Sequence, residues 1–227
     1  MKIGILEAGH SAGELRESHG DIGGYFSRML ERHSFDYALY DVENMQFPES
    51  VTDCDGWIIT GSKHGAYEDH DFIPPLEDFI RAVYDADIPL VGICFGHQII
   101  AQALGGKVEK FKGGWSVGAT QYDWQGQQVT LNAWHQDQVV ERPEGAEPIA
   151  SSDFCENAAL VYGRRIFTTQ PHPEYDAGYI DGLIKFRGRG VVPDNQLDTA
   201  TKALEAPLDN DHVTSQIARF FRERTIQ

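Results

Sequence analysis

The chain opens on a short, mostly apolar run, residues 1–6, and runs of the same kind return at 37–42, 57–60 and 88–93. Such runs, with little polar alternation, predict strands buried on both faces. Between them lie stretches with helical spacing at 23–33, 71–85 and 95–104. The second carries Pro74 and Pro75 in its first turn, where a missing N–H costs little. The third repeats apolar residues at i, i+4, as Phe95, Ile99 and Ala103 and as Ile100 and Leu104. Strand and helix in alternation predict an α/β protein of three layers, a mostly parallel central sheet with helices on both faces.

From 107 to 169 the pattern changes. Short strands at 108–111, 117–122, 129–133, 149–151, 160–162 and 166–169 follow one another with turns between them, which predicts an antiparallel extension of the same sheet. Helix returns near the end, most clearly at 211–224, where Val213, Ile217, Phe220 and Phe221 share a face. The Gly- and Pro-rich stretch 187–195 reads as a loop. No repeat, low-complexity tract or linker interrupts the sequence, so residues 1–227 are expected to form one domain.

Composition narrows the partners. The chain has 19 Lys plus Arg against 35 Asp plus Glu, a net charge of −16, and a phosphate-rich nucleic acid or anionic membrane would repel it. No stretch approaches the ~20 apolar residues of a membrane span. The first apolar run soon meets Glu7, His10 and Glu14, unlike a secretory signal. Three cysteines, Cys54, Cys94 and Cys155, are too few and too odd a number for a disulfide framework, so a cytoplasmic protein is expected.

One of those cysteines stands apart. In PLVGICFGHQIIAQALG, residues 89–105, an apolar strand ends at Gly92-Ile93-Cys94-Phe95-Gly96 and a helix begins at once. A reactive residue on so sharp a turn needs small neighbours on both sides, which Gly92 and Gly96 supply. Cys94 would then sit at a helix N-terminus, where the dipole favours thiolate, with the Phe95 N–H placed to donate to an oxyanion. Cys54 and Cys155 have no such turn and read as buried structural cysteines.

A cysteine nucleophile needs an imidazole and a third group to orient it. His172 follows the strand RIFTT in the segment Gln170-Pro171-His172-Pro173-Glu174. The two prolines hold this stretch extended, so His172 and Glu174, two residues apart, project to one side. Trp134-His135-Gln136-Asp137 also sets His and Asp two apart at a strand end and reads as a wall of the substrate pocket. A second oxyanion donor is expected where the strand 57–60 runs into Gly61 and Ser62, at the carboxyl edge where active sites of open α/β sheets collect. The cluster Lys63 to Asp71, with His64, Glu68 and His70, matches no familiar ligand spacing and reads as an acidic solvated loop, so no metal and no cofactor are expected.

Assembled in this order, Gly92-Ile93-Cys94-Phe95-Gly96-His97-Gln98, Thr60-Gly61-Ser62 and Pro171-His172-Pro173-Glu174 resemble the motifs of class I glutamine amidotransferases over residues 3–186, with a helical extension at 187–227. The segments around Lys112-Gly113-Gly114-Trp115, His135-Gln136-Asp137-Gln138 and His172-Pro173-Glu174-Tyr175 are similar to the stand-alone branch, which includes γ-glutamyl peptidases and resembles the glutaminase part of GMP synthase. The resemblance implies a flavodoxin-like fold and a Cys94, His172, Glu174 triad with Gly61 and Phe95 N–H groups as the oxyanion hole. It also implies that Gln98, with Ser62, Trp134, His135 and Gln136, contacts the substrate. Trp134 stands where many members carry a small Ser, and no acceptor domain is expected in this chain.

The expected activity is hydrolysis of the γ-glutamyl amide of glutamine or a related small molecule. A glutaminase that feeds ammonia to a separate synthase subunit is the alternative. An α/β-hydrolase with a cysteine elbow would instead take Asp137 or Asp153 as its acid, and a non-catalytic binding protein would leave Cys94 inert.

Overall fold

The computed structural model describes residues 1–11 and 13–226. Strands β1 (Lys2–Leu6), β2 (Asp36–Tyr40), β3 (Gly56–Ile59) and β4 (Leu90–Ile93) pair in parallel in the order β2-β1-β3-β4. The predicted parallel sheet is thus present, and its central strands β3 and β4 are buried at every residue.

The antiparallel extension is also present, with two differences. Strands β6 (Ser116–Trp124), β7 (Gln127–His135), β9 (Glu147–Ser151) and β10 (Ala159–Tyr162) continue the sheet antiparallel. The stretch expected as a strand at 108–111 does not join it. As β5 (Lys107–Lys110) it pairs with β8 (Asp137–Glu141), which the sequence reading missed, in a separate two-stranded ribbon. The last strand, β11 (Ile166–Thr169), is antiparallel to β10 but parallel to β4. A tight turn shows which neighbour a strand meets on one edge only, and the other edge of β11 closes on the parallel half. The full order of nine strands is β2-β1-β3-β4-β11-β10-β9-β6-β7.

Helices cover both faces. On one, α2 (Ile22–Met29) and α7 (Asn210–Glu223) bring Phe26, Val213, Ile217 and Phe220 against Ile3, Ile5, Ile58 and Val91. On the other, α3 (Ile73–Asp85) and α4 (Phe95–Ala103) set Leu76, Ile80, Val83 and Ile99 against Trp57, Ile59 and Leu90. The pleat divides β3 accordingly, Ile58 to one side and Trp57 and Ile59 to the other. Gly4 is small because the Trp57 ring lies beside it, 2.1 Å from where a Cβ would stand.

A third apolar cluster gathers α1 (Gly13–His19), α5 (Ala177–Leu183) and α6 (Asp194–Lys202) with Trp115 and Trp134. Helix α1 was not predicted because Leu15 is its one buried residue, leaving no apolar period to read. The loop expected at 187–195 is shorter than that, since a π-helical turn runs through Ile184–Gly188 and α6 starts at Asp194. Among the described residues no helix is long and apolar enough to cross a membrane.

Candidate active site

The site forms where β4 turns into α4. Cys94 sits at φ 53°, ψ −101°, a backbone conformation that costs a non-glycine residue of order 1–3 kcal/mol and persists only when its surroundings enforce it. Those surroundings are visible. The Cys94 N–H donates to Thr169 O of β11 at 2.9 Å, and the Gly96 N–H donates to Thr60 O at the end of β3 at 3.1 Å. The flanking glycines are sterically required. A Cβ on Gly92 would lie 2.5 Å from Gly96 O, and one on Gly96 would lie 2.3 Å from Ile59 O.

His172 arrives from β11. Its N–H donates to Asn132 O of β7 at 2.9 Å, which ties the Pro171–Pro173 segment to the antiparallel half of the sheet. Its Nδ1 donates to Glu174 Oε1 at 2.7 Å, and both side chains are 2% exposed. Among the described residues Nε2 meets no hydrogen-bonding group of ordinary geometry, and the Cys94 side chain lies close enough to act on it. The Tyr175 ring stacks on the imidazole, centroids 3.9 Å apart and planes within 5°, and Tyr179 packs against Tyr175 in turn. Burial opposes charge on His172, but the Glu174 carboxylate and Cys94 outweigh it and raise its pKa to about 10.

Gly61 stands beside both side chains. A Cβ there would be 3.4 Å from His172 Cε1 and 3.9 Å from Cys94 Cβ. Among the described residues neither the Gly61 nor the Phe95 N–H donates to a backbone or side-chain acceptor. The Phe95 ring itself is buried in the α3–α4 core, so only its backbone can face the site.

Cys94, His172 and Gly61 open into a cavity of about 320 Å³. Ser62, Gln98, Trp134, His135 and Gln136, the residues that the sequence reading named for the substrate pocket, all line it. Their hydrogen bonds show how they are held. The Gln98 amide nitrogen donates to Asp137 O at 2.9 Å and Gln170 Oε1 at 3.0 Å, so it braces the pocket and has no free N–H for a ligand. Ser62 Oγ accepts from the His64 N–H, and Gln136 Nε2 donates to Phe111 O. His135 Nδ1 bonds Asp137 O, and burial, aided by the nearby His172, lowers its pKa to about 3. It is therefore a neutral wall. The Asp137 carboxylate accepts from Tyr67 Oη and, among the described residues, bonds no imidazole.

Residues that the sequence reading did not assign to the site also enter the cavity. His10, held between Asp21 at 2.9 Å and Asp41 at 3.1 Å, lines it together with Ser11, Lys110, Trp115 and Arg187. His64, Glu68 and His70 bring ligating atoms within 4.8 Å of one another, as do Glu7, His10 and Asp21. Each group is knit by its own hydrogen bonds, His64 to Glu43, His70 to Glu68 and His10 to Asp21. Cys54 and Cys155 are buried and free, in keeping with a structural role.

Residues 21–188 match the family model for glutamine amidotransferase class-I. A glutamine amidotransferase-like protein of Schizosaccharomyces pombe is 32% identical over 97% of this chain and 98% of its own length. Gamma-glutamyl peptidase 4 of Arabidopsis thaliana is 27% identical over 92% of this chain and 90% of its own. The crystal structure of a glutamine amido transferase from Methylobacillus flagellatus shares the fold, with a TM-score of 0.75 at 20% identity over 98% of this chain and 93% of that one. The chain belongs to the class I glutamine amidotransferase family.

Proposed function

We propose that the protein hydrolyses the γ-glutamyl amide bond of glutamine or a γ-glutamyl compound through a thioester on Cys94. The observation that carries this reading is the strained Cys94 elbow beside a buried His172–Glu174 pair at 2.7 Å, both facing one cavity. His172 already holds the proton given up by the thiol, and the Cys94 thiolate sulfur bonds to the γ-carbonyl carbon, whose oxygen becomes an oxyanion. The Gly61 and Phe95 N–H groups receive that charge. As the C–N bond breaks, His172 gives its proton to the departing amine. Water then attacks the thioester with His172 as base, the C–S bond breaks, and glutamate leaves with the thiol restored.

Glu174 holds the imidazole in the tautomer that presents Nε2 to Cys94 and balances the charge it gains. Ser62, His135 and Gln136 form the walls that hold the glutamyl group, with Gln98 bracing them. No metal or cofactor takes part in these steps. Supply of ammonia to a separate synthase subunit would use the same chemistry and differ only in what receives the product.

Glutamate release from glutamine and from γ-glutamyl dipeptides by the purified protein tests the reading. Cys94→Ala is expected to lower it about 10⁴-fold or more. Undiminished release by that variant would overturn the proposal.

A further inference from the structure

The cavity extends well beyond the triad. One part holds Cys94, His172 and Gly61, and the same continuous space is bounded farther along the chain by Trp115, Trp134, Lys110, Arg187 and Val191. At about 320 Å³ it has the size of pockets that hold drug-sized ligands, roughly 300 Å³ and upward, and ammonia as the leaving group needs none of that extra room.

The character of this outer part is aromatic and cationic. Trp115 and Trp134 lie with ring centroids 6.4 Å apart, tilted at 59°. Trp134 is backed by the Ile184–Gly188 turn, since a Cβ on Gly188 would stand 3.1 Å from its Cη2 atom. That packing holds Arg187 at the rim. Lys185 and Arg189 on either side are taken by Asp181 and by Asp194, whereas Arg187 forms no ion pair among the described residues. Lys110 likewise forms none, although Lys107 three residues earlier pairs with Glu109 and Glu141. Of the two carboxylates that also line the cavity, Glu68 is engaged by His70 at 3.0 Å, and Asp137 accepts from Tyr67 at 3.1 Å while the Lys110 charge acts on it from farther off. In a chain of net charge −16, two cations without a close ion pair among the described residues, beside an indole pair, favour an anionic, partly apolar ligand at this place.

We propose that this outer part is a leaving-group subsite, in which the amine portion of the substrate is a bulky apolar or aromatic group ending in a carboxylate, as in a γ-glutamyl dipeptide. Arg187 and Lys110 receive the carboxylate, and Trp115 and Trp134 receive the side chain. This rests on the reading above, that Cys94 cleaves a γ-glutamyl amide. The leaving group then departs as an amino acid, carrying the proton from His172.

The test compares kcat/KM for γ-glutamyl-phenylalanine with that for its carboxamide, which differs only in the terminal charge. The native protein is expected to prefer the acid by about tenfold or more, the value of a charge-assisted contact. In Arg187→Gln combined with Lys110→Gln, both exposed positions outside the core, the ratio is expected to fall to within about threefold. Trp134→Ala is expected to raise KM for γ-glutamyl-phenylalanine far more than for γ-glutamyl-glycine. Equal rates on acid and carboxamide in the native protein, or an unchanged ratio in the double variant, would overturn the subsite while leaving Cys94 chemistry standing. Alkylation of Cys94 by a glutamine-analogue electrophile is followed in parallel. Absence of both alkylation and hydrolysis would overturn the underlying reading, and the subsite with it.

Discussion

The His172 imidazole is held on three sides, by the Glu174 carboxylate at its Nδ1 edge, by the Tyr175 ring on its face and by Cys94 at Nε2. Glu174→Gln keeps the shape but removes the charge and the tautomer preference, and kcat is expected to fall by about 10²–10⁴-fold in a glutamate-release assay. Tyr175→Phe retains the stack and should leave kcat within about threefold, whereas Tyr175→Leu loses an aromatic contact of about 0.5–1.5 kcal/mol and should lower kcat by up to about tenfold. The juxtaposition of Cys94, His172 and Glu174 was legible because its geometry is local. Two glycines mark the elbow, and two prolines set His172 and Glu174 to one side. Arg187 and Lys110 carried no such signal, because they reach the cavity from separate segments through tertiary packing. The bracing bonds of the Gln98 amide were not legible for the same reason, since their acceptors lie 39 and 72 residues away.

At the scale of elements, the β4–α4 turn is the joint on which the site depends. Gly92→Ala or Gly96→Ala would push a methyl group against backbone oxygen, and each should lower stability by about 1–3 kcal/mol or more, read as a lower urea midpoint. Gly24→Ala is the control. There the new methyl meets only the far end of the Arg28 side chain at 3.3 Å within α2, so stability should rise by up to about 1 kcal/mol. The parallel strands and α3, α4 and α7 were legible because each buries a continuous run or a clear helical face. Strand β8 and helix α1 were not, since β8 belongs to an accessory ribbon and α1 buries one residue. The direction of β11 beside β4 depends on an edge that local turn signals do not describe.

For the whole molecule, charge and titration set the pH range of the fold. The His172 pKa is raised from the ordinary 6.5 to about 10 in the folded state, so its contribution is fully present below pH 6.5 and is lost as pH rises toward 10. The stability difference between the native protein and His172→Gln should therefore shift steadily against the native protein between pH 7 and 10, measured by urea unfolding at each pH. At the acid end the sign reverses for Asp21, Asp41 and Glu43. Backbone N–H groups, Asn44, His10, His64 and Lys63 hold their carboxyls below the usual range despite burial, and their contribution is lost as pH falls through those lowered values. The net charge of −16 gave no reason to expect attraction for an anionic substrate, yet the fold collects Lys110 and Arg187 at the cavity that holds Cys94. Composition averages over the surface, and the site is a local exception to it.

The central claim is a γ-glutamyl thioester on Cys94, and the direct measurement is acid quench during turnover of a γ-glutamyl dipeptide, followed by mass analysis of the peptide that contains Cys94. The account predicts one added γ-glutamyl group on that peptide, at a level that rises with substrate and disappears in Cys94→Ala together with glutamate release. Glutamate formed at an undiminished rate by Cys94→Ala, or an adduct found on another residue, would contradict it.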